Sequence, residues 1–146
     1  MDILKALYKT ILVPQAVYQE IEAGKDRSFY TDLGKLDWIT IKHIKSPHER
    51  MYLFDLDDGE AETLILAQEQ NADLVIIDEK CGRRYAGQLG IPVTGTIGIL
   101  LKAKKQGIIT GIAPLLQELI DKQSWIGAEL VKKAIELAGE GLSVST

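Results

Sequence analysis

The chain has 146 residues, 46% hydrophobic and 26% charged, and this composition excludes a disordered or fibrous polypeptide because it can fill one buried core. The formal net charge of −4 argues against non-specific nucleic-acid binding through a basic surface. The single cysteine, Cys81, excludes an internal disulfide and fits the reducing cytoplasm. The apolar runs are too short for a membrane span, and the N-terminus lacks the order of a signal peptide. We therefore expect one cytoplasmic domain over residues 1–146.

The first half of the chain predicts two short strands with a helix between them. A short helix is expected over residues 2–9, and the β-branched, apolar run at residues 10–13 predicts a strand. Pro14 suits the first turn of a helix, where a missing N–H costs nothing, and that helix is expected to end at Gly24. Residues 37–44 alternate in polarity, which indicates a strand with one wetter face.

The second half of the chain predicts an alternation of helices and strands. The predicted elements are, in order, a helix over residues 59–70, a buried strand over 72–78, a helix over 80–90, a buried strand over 91–95, and helices over 96–107, 114–122 and 126–139. The continuous apolar runs are typical of buried parallel strands. This order predicts an α/β domain with a mostly parallel sheet.

Acidic residues from separate elements are predicted to converge at one edge of this sheet. Asp78, followed by Glu79, stands at the carboxyl end of a strand, where open parallel sheets bind ligands. Glu60 lies in the first turn of a helix that can face the same edge, and Glu20 borders the apolar face of the earlier helix. Because converging carboxylates repel one another, they need a cation, and hard oxygen ligands suit Mg²⁺ or Mn²⁺. Such ions activate water for attack on a phosphodiester.

Each of these acids also has an ordinary structural interpretation. Asp57 and Glu60 have the spacing of a helix capping box, and negative charge in a first turn stabilises the helix dipole. Glu20 taken alone is more typical of a solvated helix charge, and Asp78 and Glu79 are also consistent with solvated or capping charges. The residues by themselves leave both interpretations open.

Several segments, in order, resemble the prokaryotic PIN-like family known as domain of unknown function 3368. They are ILVPQAVYQEIEAG at residues 11–24, GEAE at 59–62, IIDEKCGRR at 76–84, GTIGILLKAKKQGII at 95–109 and ELAGE at 136–140. The resemblance covers most of the chain, and it depends on the order and spacing of the set rather than on any one segment.

The resemblance implies a three-layer α/β/α nuclease fold, in which active members cut RNA with Mg²⁺ or Mn²⁺ held by acidic residues. Many such proteins, related to VapC, are toxins of type II toxin–antitoxin pairs, each inhibited by an antitoxin protein. Carried over to this sequence, the resemblance implies Glu20, Glu60 and Asp78 as catalytic, metal-binding residues, with Glu79 as a further metal ligand.

The chain departs from the family pattern at its beginning. The family usually opens with a central strand carrying an aspartate in a D-x-S-P motif, whereas MDILKALYK resembles only the end of the following helix. Asp2 does not match that aspartate, because it precedes a helix. We therefore expect the usual first strand to be lacking, through a misplaced start codon at Met1, a shortened sequence or a natural truncation. In the last case, a partner or another copy would pair the exposed backbone.

Basic and hydroxyl residues close to the acids are candidates for RNA binding. Arg83 and Arg84 follow the end of the Asp78 strand, and guanidinium groups suit phosphate recognition. Thr96 begins the next predicted helix, where its hydroxyl either reaches a phosphate or water or caps the helix.

Of the three functions that the sequence raises, we favour a metal-dependent endoribonuclease that is the toxin of a toxin–antitoxin pair. The alternative is a catalytically inactive PIN-like module that acts through a partner protein. A phosphatase-like or response-regulator-like domain using Asp78 lacks the additional acidic pair that it would need. The apolar stripes of the last two helices, including Trp125, either pack on the sheet or form a homodimer.

Overall fold

The computed structural model describes residues 2–26 and 31–121. The helix predicted over residues 126–139, and Trp125 of the predicted dimer stripe, lie outside the described residues. Two compact units are distinguished, one of residues 8–95 and one of residues 1–7 with 96–146. The expectation of a single domain stays a prediction.

Helices and short strands alternate along the described chain. The elements are α1 (Asp2–Leu7), β1 (Ile11–Pro14), α2 (Gln15–Ala23), a 3₁₀ helix (Leu33–Lys35), β2 (Ile39–Lys42), a second 3₁₀ helix (Pro47–Leu53), α3 (Asp58–Gln70), β3 (Val75–Ile76), α4 (Lys80–Gln88), β4 (Val93–Thr94), α5 (Thr96–Lys105) and α6 (Ala113–Asp121). None of these helices is long and apolar enough to cross a bilayer.

The strands of the 8–95 unit pair in parallel. Strand β1 pairs with β2, with Ile11 opposite Ile39, and β3 pairs with β4, with Val75 opposite Val93. In the described residues these pairs form two separate two-stranded sheets. Together with the helices, the parallel pairs confirm the predicted mixed α/β class.

Two of the strands are shorter than their apolar runs suggest. Strand β3 covers only Val75–Ile76 of the predicted residues 72–78, and β4 only Val93–Thr94 of residues 91–95. An apolar run indicates that a segment is buried, but it does not show how many of its residues pair with a neighbouring strand. In addition, Pro92 has no backbone N–H with which to extend β4.

Gly24 and Gly107 follow helices as the sequence predicts, whereas Pro14, predicted in the first turn of a helix, is the last residue of β1 and the N-cap of α2. Pro14 has extended dihedral angles and immediately precedes α2, and Gly24 follows the last residue of that helix. Asn71 ends α3 in the left-handed conformation at φ 51°, and Gly107 lies beyond α5 at φ 76°. A left-handed residue ends a helix because its backbone turns away from the helix axis while still satisfying terminal carbonyls.

Helix α3 forms the centre of the core in the 8–95 unit. Ala61, Leu64 and Ile65 are almost completely buried, and they belong to one apolar cluster with Val75 and Ile77 from the β3 segment. In the other unit, Leu100, Ile112 and Leu116 form a separate buried cluster. The α3 core therefore fixes the first turn of this helix, in which Glu60 lies, relative to the end of β3, after which Asp78 follows.

Candidate acidic site

The first turn of α3 is fixed by its own cap. Asp57 Oδ1 accepts a hydrogen bond from the backbone N–H of Glu60 at 2.8 Å, and the Asp57 carbonyl accepts one from Ala61 N–H at 3.0 Å. This confirms the cap interaction expected from the spacing of Asp57 and Glu60. Glu60 is thereby held in the first turn, with the carboxylate of Asp57 as its close neighbour.

Helices α2 and α3 cap each other through two glutamates. Glu20 on α2 accepts a hydrogen bond at Oε1 from Gly59 N–H at 3.1 Å, and Glu62 on α3 accepts one at Oε1 from Ala16 N–H at 3.0 Å. Pro14 offers α2 no side-chain cap, so a carboxylate from the partner helix satisfies one of its free amide groups. Glu20 therefore lies at the amino end of α3, where it has a structural role.

Hydrogen bonds satisfy the Glu60 carboxyl group only in part. Its Oε2 atom is buried and has no hydrogen-bond partner among the described residues. Burial is the main cause that raises the pKa of Glu60 to about 7, and the hydrogen-bonding and charged side chain of Asp57 and the charge of Glu79 add to it. The hydrogen bond with the backbone N–H of Asp57 lowers the pKa of Glu60. A cation or a proton is the species that would compensate this oxygen.

Glu20 also lies among like charges. Burial is the first cause that raises its pKa, followed by the charge of Asp57, while the hydrogen bond from Gly59 N–H lowers it. The charges of Asp58 and Glu62 raise it further. Asp57 thus acts on both Glu20 and Glu60, which places these two glutamates in one negative environment.

Each predicted catalytic acid lies against a glycine of a neighbouring element. A Cβ added to Gly59 would lie 2.6 Å from Glu20 Oε1, one added to Gly82 would lie 2.9 Å from Glu60 Oε2, and one added to Gly95 would lie 2.6 Å from Asp78 Oδ1. These distances are shorter than real Cβ contacts, so any larger residue would displace the carboxylate or the backbone. The three glycines therefore make room for the three carboxylates.

Asp78 and Glu79 follow β3 at its carboxyl end, as predicted. Ile77 N–H donates to the Thr94 carbonyl at 2.8 Å, which brings the residue after it close to Gly95. A Cβ added to Gly95 would lie 2.6 Å from Asp78 Oδ1 and 3.7 Å from Arg83 Nη1. Asp78 and Arg83 therefore both approach this glycine. Glu79 is exposed and occupies the N-cap position immediately before α4. Its side chain makes no capping hydrogen bond.

A basic depression lies beside this acidic edge. It has a volume of about 670 Å³ and is lined by Lys80, Cys81, Arg83, Arg84 and Val93. Both predicted arginines line it, and Arg84 Nη2 lies 3.7 Å from Cys81 Sγ. Lys80, Arg83 and Arg84 are exposed, so three cationic groups are available to an anionic ligand. Thr96, the remaining candidate for RNA binding, is the first residue of α5 in the other unit.

The acids do not close around a single point. Within residues 2–26 and 31–121, no three side chains of aspartate, glutamate, histidine or cysteine lie close enough together to hold a metal ion. The structure places Glu60 under the influence of Asp57 and Glu79, and Glu20 beside Asp57 and Gly59. The assignment of Glu20, Glu60, Asp78 and Glu79 as metal ligands stays a prediction.

Sequence reasoning missed several residues of this site. Asp57 was assigned only as a cap or solvated charge, although it also acts on the pKa of both Glu20 and Glu60. Glu62, whose place in the first half of α3 predicts only a solvated charge or a cap, does cap, although on α2 rather than on its own helix. Lys80 was not singled out. The sequence signal for this arrangement was the glycine in each of the GEAE, CGRR and TGT segments. A glycine beside a predicted site indicates that another group approaches the backbone closely there.

Comparison with known proteins identifies a family over most of the chain. The family DUF3368, described as a PIN domain, matches residues 1–140 of the chain. No curated protein and no solved structure matches it.

Proposed function

The chain belongs to the DUF3368 family of PIN domains, and from this premise we propose that it is a divalent-metal-dependent endoribonuclease. PIN domains have a nuclease-type fold, generally use divalent metals, and as nucleases suggest an RNA substrate. We further propose that it acts in the cytoplasm as the toxin of a type II toxin–antitoxin pair, which the resemblance to VapC-related proteins supports.

The observation that carries the proposal is the unpartnered oxygen of Glu60. Glu60 Oε2 is buried without a hydrogen-bond partner among the described residues, in a neighbourhood where Asp57 and Glu79 raise the pKa of the same carboxyl. A buried anion with anionic neighbours is costly unless a cation compensates it. The donors there are all carboxylate oxygens, which hard cations such as Mg²⁺ and Mn²⁺ prefer. The type of donor at Glu60 therefore suits a divalent cation, although no three ligating side chains come together in the described part of the chain.

We assign the cation to Glu60 and Asp78, with Glu79 and Glu20 as further acidic groups around it. When bound, a divalent ion lowers the pKa of a water molecule and neutralises charge on a phosphodiester. Glu20 holds the amino end of α3 through Gly59 N–H and so fixes the turn that carries Glu60. Gly82 leaves space for the Glu60 carboxylate, and Gly95 for that of Asp78.

The basic depression on α4 is the proposed phosphate-binding surface. Arg83 lies near Gly95, which the Asp78 carboxylate also contacts, so a phosphate held by this guanidinium would stand close to the acidic edge. Arg84 and Lys80 line the same depression and extend the positive surface. Guanidinium groups bind phosphate oxygens in pairs, which orients the scissile bond as well as holding it. Thr96 remains a further candidate for a phosphate contact.

A catalytically inactive module that acts through a partner protein is the alternative, and two observations favour it. No three ligating side chains come together in the described part of the chain, and Glu20 is occupied as a cap of α3. In that case an antitoxin-like protein, or a second copy of the chain, would supply the biological activity.

Cleavage of a mixed single-stranded RNA pool separates the two functions. The wild type is compared with Glu60→Gln and Asp78→Asn in Mn²⁺, in Mg²⁺ and in a chelator, and Glu118→Gln, an exposed acid on α6, is the matched control. The nuclease predicts metal-dependent cleavage by the wild type and the control, and its loss in both site variants. Equal products from all four proteins, or no cleavage by any of them, would contradict it.

A further inference from the structure

The segment between β2 and α3 displays three large apolar side chains to solvent. Met51 is 75% exposed, Tyr52 76% and Phe54 77%. At roughly 200 Å² for each of these large side chains, the three together expose about 450 Å². An exposed apolar area of this size on a folded protein marks a candidate interaction surface. These three residues are called the apolar patch below.

The opposite face of the same segment is anchored in the core. Residues Pro47–Leu53 form a 3₁₀ helix, and Phe54 continues its helical backbone. In such a helix residues three positions apart share a face. Leu53 and Leu56 share the buried face and belong to the α3 core cluster, whereas Met51 and Phe54 share an outer face. The apolar patch therefore cannot turn inward without withdrawing two leucines from the core.

Arg50 holds the segment in this arrangement. Its Nη1 donates to the Leu53 carbonyl and its Nη2 to the Leu56 carbonyl, while Nε donates to Asp58 Oδ1 at 3.2 Å. One guanidinium thus ties two turns of the segment to the start of α3. A surface that is already held in place loses little conformational entropy when a partner binds.

The segment that carries the apolar patch is acidic. Residues 47–58 contain one arginine, Arg50, and four acids, Glu49, Asp55, Asp57 and Asp58. The charge of Arg50 is already paired with that of Asp58, and the three aspartates are exposed. An apolar centre with a charged rim has the composition of a protein–protein interface. The negative rim complements a partner that carries lysine or arginine on either side of apolar side chains.

RNA and a second copy of the chain fit the apolar patch less well. The acids would repel RNA phosphates, and the basic depression is lined by residues of α4 and β4 instead. In a two-fold symmetric dimer the same acids would face their own copies. In addition, about 450 Å² per protomer is below the about 800 Å² of a standard interface. A short basic segment needs less area and supplies the opposite charge.

We propose that the apolar patch binds a short segment of a separate polypeptide, in which apolar side chains are flanked by lysine or arginine. The apolar side chains contact Met51, Tyr52 and Phe54, and the flanking cations pair with the acids of the same segment. This proposal does not depend on the nuclease activity, and its test measures no cleavage.

The probe is a blocked, fluorescein-labelled peptide of sequence Lys-Lys-Leu-Leu-Leu-Lys-Lys, and its binding to the full chain is measured by fluorescence anisotropy. One control peptide has glutamate in place of every lysine, and a second has serine in place of every leucine. We expect saturable binding of the probe and at least about tenfold weaker binding of both controls. Equal binding of the probe and either control would overturn the proposal.

Protein variants locate the site. The double substitution Tyr52→Ser with Phe54→Ser should weaken binding at least about tenfold, whereas Leu89→Ser, which removes a hydrophobic side chain that is 41% exposed elsewhere, should leave it unchanged. Asp55→Asn keeps an oxygen that can accept from Tyr85 Oη and should weaken binding at least about threefold. Equal affinities of the double variant and Leu89→Ser, with unchanged circular dichroism, would overturn the proposal.

Oxidation of Met51 shows what covers the apolar patch. The chain has two methionines, Met1 and Met51, so peptide mapping by mass spectrometry after hydrogen peroxide treatment reports each separately. In the free full chain Met51 should oxidise as fast as a methionine in a short peptide, and saturating probe should slow it at least about fivefold. Slow oxidation in the free chain would overturn the proposal, because another segment of this chain or a second copy would then cover the patch. Protection of Met51 by single-stranded RNA, and not by the probe, would overturn it as well.

Discussion

The substitution Glu60→Gln should stabilise the free protein at high pH, although it removes an acidic group from the first turn of a helix. Glu60 has its pKa raised to about 7 by burial and by the carboxylates of Asp57 and Glu79. An acid whose pKa is raised on folding binds more protons in the folded state between its two pKa values. The free energy of unfolding therefore falls as the pH rises from about 4.5 to about 7. Above that window the destabilisation by the ionised group is complete.

The magnitude follows from the two pKa values. The difference between about 7 and the ordinary value of 4.5 corresponds to at most about 3.4 kcal/mol. Because the carboxylate is only half-buried, screening by solvent reduces the expected effect to about 1–2 kcal/mol. Glutamine has the same shape without the charge. The variant should therefore gain about 1–2 kcal/mol over the wild type at pH 8 and almost nothing at pH 4.5.

Urea denaturation followed by circular dichroism, in a chelator and at both pH values, measures this difference. Glu118→Gln removes an exposed acid and serves as the control for the loss of one negative charge. A gain for Glu60→Gln that is the same at both pH values would show that packing, rather than ionisation, causes it. A loss of stability at pH 8 would show that the Glu60 charge is already compensated, and the reasoning about the cation would fail.

Two further predictions concern the groups that position the carboxylates. Gly82→Ala should destabilise the protein and lower its affinity for Mn²⁺, because the new Cβ would lie 2.8 Å from Ile77 Cγ2 and 2.9 Å from Glu60 Oε2. In the control Gly87→Ala, on the same helix, the new Cβ meets no atom within 4 Å, and the protein should become more stable by about 0.5–1 kcal/mol. Equal effects of the two substitutions on stability, measured by urea denaturation, and on Mn²⁺ affinity, measured by titration, would contradict this prediction. Glu62→Ala should cost about 1 kcal/mol, because Ala16 N–H loses its cap on α2. Unchanged hydrogen exchange at the Ala16 amide in this variant would show that the contact does not cap the helix.

Local signals in the sequence predict one part of the site and miss another. The cap by Asp57 places Glu60 correctly because both residues belong to one turn of α3. The glutamates that join α2 to α3 were not predicted, because these hydrogen bonds connect residues 39 and 46 positions apart. Neither helical periodicity nor turn chemistry carries information over such separations.

The strands show the same division between local and tertiary information. The apolar run over residues 72–78 predicts a buried strand, and Val75 and Ile77 are buried. The ladder itself covers only Val75–Ile76. Its extent depends on the register with the β4 segment, where Pro92 follows Ile91 and interrupts donation, and a single run cannot reveal its partner's register.

Direct titration with Mn²⁺, followed by electron paramagnetic resonance at pH 8, tests the central claim that the carboxylate of Glu60 and its acidic neighbours hold a divalent cation. We predict saturable binding by the wild type and by Glu118→Gln, and at least about tenfold weaker binding by Glu60→Gln and Asp78→Asn. Binding that is equal in all four proteins, or absent from the wild type, would contradict the account and would favour the inactive module that acts through a partner.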